Sequence, residues 1–352
     1  MKKMKGKKVI VPTGYMGSGS SAITDLLDGL EEFDVSRSTF EFVFLHCPNG
    51  LFDLEDKLLL GNNAVRSDEA LHSFYKTMQQ LYKKKYWWVG HYDKYIGSGF
   101  WKATEKYVQN LIEFSPEYYW YYQENTAYYM IPRLILNKIL KFIPGGKRFI
   151  KKALLYSPMW ISYVQPEKFY EESKKYIYNI FDVMGKQQKN IVLDQLLLPF
   201  NLHRFKHYFN DDVEVFVVDR DPRDVFISNK YFWSRSDEPV PYPKDVHLFC
   251  EFYRKLREIE KMEIHPQIHR IHFEDLIYKY DATVEKIYDI LGINLKKDSV
   301  NTKFDPAHSI YNTQLFLKDI AYEQECTYIE QHLGEFLYSF PYKLNHEGTS
   351  VF

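Results

Sequence analysis

Eight residues near the start of the chain, Gly14-Tyr15-Met16-Gly17-Ser18-Gly19-Ser20-Ser21, have the types and spacing of a loop that holds a phosphate. Two glycines five apart followed by hydroxyl positions match the phosphate-loop pattern, except that Ser20 stands where such loops carry a lysine. Glycines let the backbone turn so that its N–H groups point at an anion. A helix beginning near Ser20 would add the positive end of its dipole, and Ser18, Ser20 and Ser21 can donate further hydrogen bonds. A nucleoside triphosphate with magnesium would call for the missing lysine on its β- and γ-phosphates; a less charged tail asks for less. An ordinary Gly/Ser turn is the simpler alternative, but strand, loop and helix signals fall in the order an anion site requires.

A second constellation lies in "VEVFVVDRDPRDVFISNKYFW", where a buried strand runs into a helix with Arg220 just past the strand end and Ser228 eight residues later. In an open parallel sheet, ligands sit at the carboxyl ends of the strands, which places Arg220 at the same edge as the loop. An arginine fork with a serine hydroxyl suits a separate phosphate monoester. The bland alternative for Arg220 is a salt bridge to Asp219, Asp221 or Asp224, a role for which Arg223 is the better candidate.

A strand, a loop ending in Ser-Gly-Ser-Ser, and a later strand followed by Arg-x-Pro-Arg-Asp-x-x-x-Ser resemble the sulfotransferases that use 3′-phosphoadenosine 5′-phosphosulfate (PAPS), closest in motif style to the carbohydrate sulfotransferases. The resemblance covers about Lys8–Asp56 and Asn190–Ile293 and implies a P-loop-like fold with PAPS as co-substrate and no metal. It assigns the 5′-phosphosulfate to Gly17, Ser18, Gly19, Ser20, Ser21 and Ala22, and the 3′-phosphate to Arg220 and Ser228. The Glu-Asp-Leu segment within "IHFEDLIYKYDATVEKIYDILGI" is a structural part of the same pattern. Most of the family has Lys or Arg just before Ser-Gly, where this chain has Gly17, so another cation or a weaker reaction is expected.

Sulfuryl transfer needs a base for the acceptor hydroxyl. The family resemblance offers a glutamate after the second strand or, in the cytosolic small-molecule branch, a histidine; "STFEFVFLHCPNGLFDLED" supplies Glu41 and His46. Glu41 is the first choice, at the start of an apolar run, and His46 the second, with a pKa ordinarily near neutrality. Asp194, ending "NIVLD", is a third carboxylate at the same edge, suited to orienting substrate. In "DPAHSIYNTQLFLK", which resembles a family loop closing over the nucleotide, Ser309 and Asn312 are further candidates.

These residues need elements to hold them. The sequence predicts a strand over Lys8–Val11, a helix over Ser20–Leu30, strands at "NIVLDQ", "VEVFVVDRD" and "IHRIHF", a helix started by Pro222, and another closed by Gly292. Alternating strands and helices imply an α/β fold, a parallel sheet flanked by helices. The 352 residues are read as a single sulfotransferase-like domain carrying a large helical, aromatic-rich lid and acceptor region over 57–189. The net charge of -1 gives no reason to expect a nucleic-acid partner. Three scattered cysteines argue against a disulfide framework or zinc cluster and fit a reducing compartment. The basic N-terminus lacks a signal peptide's apolar core, and no apolar run is long enough to span a bilayer, so a cytoplasmic protein is expected. The oligomeric state is not legible.

The middle segment should choose the acceptor. Aromatic residues make up 18% of the chain and crowd this segment, where rings could stack on sugars or simply form core. From Asn125 to Pro166 there is no Asp or Glu, whereas Arg133, Lys138, Lys141, Lys147, Arg148, Lys151 and Lys152 are basic. "IPRLILNKILKFI" reads as an amphipathic basic helix that could touch an anionic membrane through 131–156 or grip an acidic glycan. A lid helix packed on the core with a solvated lysine face is the plainer expectation. The function expected is sulfuryl transfer from PAPS to a hydroxyl of a glycan or glycolipid. The alternative is a P-loop nucleotide-binding protein, or a kinase-like phosphotransferase without the usual lysine.

Overall fold

Five short strands pair into one parallel sheet: β1 (Val9–Gly14), β2 (Phe33–Val35), β3 (Asn190–Val192), β4 (Val213–Asp219) and β5 (Ile268–His272), in the order β2-β3-β1-β4-β5. This computed structural model describes residues 7–35, 41–86, 89–118, 131–146, 157–185, 189–233, 239–260, 264–293 and 302–346. β1 and β4 pair along the whole of β1, from Val9 against Val213 to Gly14 against Val218. Both are buried at nearly every position, as strands covered on both faces must be, which is why they read as unbroken apolar runs. β3 flanks β1 on the other side, so the carboxyl ends of β3, β1 and β4 lie side by side.

Two buried cores accompany this sheet. One gathers Ile10, Phe216, Val218 and Ile271 with Ile23, Leu26 and Leu27 of helix α1 (Ser21–Leu27). The other joins Val225, Phe226 and Ile227 of α2 (Pro222–Ile227) to Phe249 and Tyr253 of α3 (Val246–Ile259). Pro222 opens α2, and the side chain of Asp221 caps it by accepting from Arg223 N. Helix α4 (Tyr280–Leu291) ends at Gly292, whose φ of 70° is left-handed, as the closing glycine predicts. The fold is therefore the α/β arrangement expected, with shorter elements. The apolar run after Glu41 forms no strand: Phe42–Leu45 is irregular, with Phe42, Phe44 and Leu45 buried, and the second strand is Phe33–Val35.

The chain forms two compact units, 1–43 with 184–352, and 44–183. The sheet and both cores belong to the first. The second is built on the helices Leu51–Leu59, Ala64–Lys83, Ser98–Leu111, Ile131–Leu140 and Pro166–Met184. Much of its aromatic surplus is core: Phe74, Phe100, Tyr107, Phe169, Tyr176 and Phe181 are buried. Tyr107 and Tyr176 stack at 4.8 Å while their hydroxyls meet Ser173 and Thr104, so each buried phenol has a partner. The helix Ile131–Leu140 departs from expectation, since its apolar residues are exposed instead of packed. Among the described residues no helix is long and apolar enough to cross a membrane. Lys147, Arg148, Lys151 and Lys152 lie outside the described residues.

Candidate active site

The loop between β1 and α1 is shaped by what its glycines permit. Gly17 and Gly19 both sit at φ 80°, a left-handed conformation that side chains disfavour. A Cβ on Gly19 would lie 2.7 Å from the Phe273 ring, and one on Gly17 would lie 3.0 Å from the indole of Trp233. Ser18 N closes the turn on Tyr15 O at 2.9 Å. The amides of Ser20 and Ser21 precede the first intrahelical bonds of α1 and are oriented by the helix start. Ala22 N donates to Gly19 O at 3.0 Å, and the Ala22 side chain is buried. Ser18 Oγ is buried without a hydrogen-bond partner, a polar atom left for a ligand to satisfy. Ser20 Oγ accepts from Gln195 Nε2 at 2.9 Å, and Gln195 Oε1 accepts from Thr13 Oγ1 at 3.2 Å. Gln195, just past β3 and itself at φ 57°, thus splints the loop to the neighbouring strand.

Arg220 is buried at the carboxyl end of β4, and its guanidinium finds only neutral acceptors among the described residues. Nη1 donates to Gly17 O at 2.9 Å, and Nη2 to Asn312 O at 2.5 Å and to Ser228 Oγ at 3.4 Å, while Nε has no partner. The ring of Phe273 lies 5.3 Å from its carbon centre. The carboxylates around it are spoken for. Asp219 pairs with Arg257, Asp221 with Arg223 at 2.7 Å, and Asp224 accepts the amides of Gln314 and Leu315. Arg223 takes the salt-bridge role expected of it, bonded to Asp221 and Glu330. A buried cation held by carbonyls and a hydroxyl is a preformed anion seat. Asn312, whose Oδ1 is buried and unpartnered, belongs to it; Ser309 N donates to Asp305 O.

The third component is a carboxylate pair. Asp194 follows β3, its carbonyl accepts Phe42 N at 3.1 Å, and the chain therefore delivers Glu41 beside it. Asp194 Oδ1 is closed off from solvent with no partner. Burial, then the charges of Glu41 and Asp25, push the Asp194 carboxyl up to about 7. Such a group is part-protonated at neutral pH. Glu274 of the Glu-Asp-Leu segment is pushed up to about 8 by burial, but it accepts the Asp221 amide at 2.9 Å and serves the scaffold.

With phosphate loop, anion seat and carboxylates on one sheet edge, the comparison with known proteins is direct: residues 160–313, which include Asp194, Arg220, Ser228 and Asn312, match the sulfotransferase domain. The chain carries a sulfotransferase domain. Solved structures similar to this sulfotransferase include the sulfotransferase domain from the curacin biosynthetic pathway, 13% identical over 96% of this chain and 93% of that one at a TM-score of 0.34. Another is the sulfotransferase domain of the Synechococcus PCC 7002 olefin synthase, 12% identical over 95% of each chain at a TM-score of 0.37. A third, the sulfotransferase STF9 of Mycobacterium avium, is 12% identical over 97% of this chain and 78% of that one, at a TM-score of 0.36. No curated protein matches the chain significantly.

The sulfotransferase loop is held by residues that no spacing rule singles out. Tyr242 donates through its hydroxyl to Met16 O at 2.9 Å, and the buried amide of Asn229 grips the Tyr242 backbone through both N and O. Two loop carbonyls, Met16 O and Gly17 O, are thereby engaged away from an incoming anion. Tyr15 is tied by its hydroxyl to Glu260, which also holds Arg270, while Arg257 stacks 4.2 Å over its ring. Asn229 adjoins Ser228 in sequence, a signal that could have been followed; Tyr242, Trp233 and Phe273 gave none. His46 lies in the 44–183 unit, part-buried in a turn, whereas Glu41 belongs to the unit of the loop.

Tyr242→Phe is expected to weaken nucleotide binding by about 1 kcal/mol, roughly fivefold, with little loss of melting temperature. Calorimetry beside a thermal melt checks this; an unchanged affinity would show that the loop keeps its shape unaided. Gly19→Ala should cost about 1–3 kcal/mol through left-handed strain and the Phe273 contact. The same two measurements should register a lowered melting temperature together with reduced nucleotide binding.

Proposed function

We propose that this sulfotransferase moves a sulfuryl group from PAPS to a hydroxyl of a glycan or glycolipid in a reducing, cytoplasmic setting. The observation that carries the donor assignment is Arg220, a buried cation whose hydrogen-bond acceptors among the described residues are neutral, set against Ser228 and the carbonyl of Gly17 in the loop. A nucleotide with phosphates at both ends of its ribose fits a seat of this kind better than a triphosphate does. Gly17, Ser18, Gly19, Ser20, Ser21 and Ala22 would line the 5′-phosphosulfate, and Arg220 with Ser228 the 3′-phosphate. Gly17 leaves no room for the family's cation, since its backbone is left-handed and Trp233 fills the space beside it. In the reaction, the acceptor oxygen bonds to sulfur as the sulfur–oxygen bond to the 5′-phosphate breaks. The hydroxyl proton passes to the Asp194–Glu41 pair, in which the raised Asp194 carboxyl suits a base working near neutrality.

Support for a sugar acceptor comes from the 44–183 unit. His72 and Trp160 stack at 3.8 Å, and Tyr75, Trp101 and Tyr82 continue a row of half-buried rings along the helix Ala64–Lys83. Half-buried aromatic rows of this kind suit the apolar faces of sugars. The reading is tested by titrating the protein with 3′,5′-adenosine bisphosphate and with ATP, and by transfer of radiolabelled sulfate to hydroxyl-bearing glycans. Tight binding of the bisphosphate and label on glycan are expected. Preference for magnesium-ATP would overturn the donor, and label appearing only on non-sugar alcohols would overturn the acceptor.

A further inference from the structure

The helix Ile131–Leu140 is built inside out. Ile131, Leu134, Ile135 and Ile139 recur at three- and four-residue spacing along one side, which ordinarily marks the face packed on a core. Here they are all exposed, as are Leu136 on the flank of that face and Phe142 and Ile143 in the turn that follows. Phe142 reaches 82% exposure, whereas the polar Asn137, on the other side, is 7% exposed and is the buried side chain among those described in the helix. The helix thus buries Asn137 on its polar side and turns its apolar side outward. Seven large apolar side chains in thirteen residues form a patch that soluble monomers seldom leave uncovered.

Charge decides what covers it. Lys138 and Lys141 are exposed beside the apolar residues, and the sequence holds no Asp or Glu from Asn125 to Pro166. A second copy docking through the same face would bring lysines against lysines, because a two-fold contact matches each surface to itself. An anionic surface meets both demands, accepting the apolar side chains and the cations at its edge. Ten residues span roughly 15 Å, half the thickness of a bilayer core, so the helix can lie in the interface but cannot cross it. We infer that Ile131–Ile143 is an interfacial anchor that seats this sulfotransferase on membranes rich in anionic lipid. The inference rests on this unit alone and is independent of the donor and acceptor assignments.

The test uses the full chain with two kinds of vesicle, phosphatidylcholine alone and phosphatidylcholine mixed with phosphatidylglycerol, read by co-flotation. Binding to the mixed vesicles, weakened by salt, is expected. Ile135→Glu/Ile139→Glu should lower it at least about tenfold, and Lys138→Glu/Lys141→Glu should remove the preference for phosphatidylglycerol. All four positions are exposed, so the melting temperature and the affinity for 3′,5′-adenosine bisphosphate should match the parent. Protein that stays in solution with both vesicles overturns the inference, and so does equal binding to both. A concentration-dependent dimer that Ile135→Glu/Ile139→Glu converts to monomer, without vesicle binding, would also overturn it and assign the face to a second copy.

Discussion

Arg220→Ala is expected to erase the preference for 3′,5′-adenosine bisphosphate over 5′-AMP. The parent should bind the bisphosphate about ten- to a hundredfold more tightly, because a charge-assisted contact to a second phosphate contributes about 1.5–3 kcal/mol. The gain needs a cation already out of water and not neutralised by a neighbour. Arg220 is buried and is hydrogen-bonded to Gly17 O, Asn312 O and Ser228 Oγ, while the nearby Asp224 carboxyl is raised to about 7 by burial and bonded to the amides of Gln314 and Leu315. The same bonds warn that the variant loosens the loop, so 5′-AMP binding should fall too, though by less. Ser228→Ala separates the effects, since it leaves the arginine's bonds to both carbonyls and removes only a hydroxyl. It should reduce the preference a few-fold while leaving 5′-AMP unchanged. Calorimetry with both nucleotides on all three proteins reads the outcome. Equal affinity of the parent for the two nucleotides would remove the 3′-phosphate seat and the case for PAPS with it.

The parts of this site that could be read in the sequence are those where one residue type has one physical use. Gly17 and Gly19 are glycines because the loop is left-handed there, and Pro222 starts α2 because it cannot sit deeper in a helix. Arg220 and Ser228 were visible because strand end and helix turn fix their direction within one local segment. What escaped depends on long-range contacts. Gln195 was invisible as a loop splint because its partner Ser20 is 175 residues away, across a strand pairing that the sequence does not announce. Tyr242 reaches Met16 over 226 residues in the same way. The helix Ile131–Leu140 shows the opposite limit: its periodicity was plain, but periodicity gives two faces and not which one is buried. Glu41 reads in the sequence only as the start of an apolar run; its place beside Asp194, through the bond from Phe42 N, is a long-range contact like those of Gln195 and Tyr242.

That pairing gives the second large effect. If the Asp194–Glu41 pair receives the acceptor's proton, turnover should rise with pH along a limb centred near 7 and level off above it, because the raised carboxyl must ionise before it can act. Asp194→Asn should lower turnover by about 10²–10⁴ while leaving affinity for 3′,5′-adenosine bisphosphate nearly intact. Glu41→Gln removes a negative charge that raises Asp194, so the limb should move to lower pH, with a smaller loss of turnover. Stability supplies a readout that does not involve activity. A carboxyl whose folded value lies near 7, above the ordinary 3.8, favours the fold when protonated, so that contribution is present at low pH and is lost as pH rises through 7. Asp194→Asn, which cannot ionise, should therefore melt higher than the parent above pH 7 and lose that advantage near pH 4. Should Glu41→Gln abolish turnover while Asp194→Asn keeps both turnover and limb, Glu41 alone is the base. Loss of turnover in His46→Ala, with both carboxylate variants active, would move the base to the 44–183 unit and make the histidine branch the right analogy.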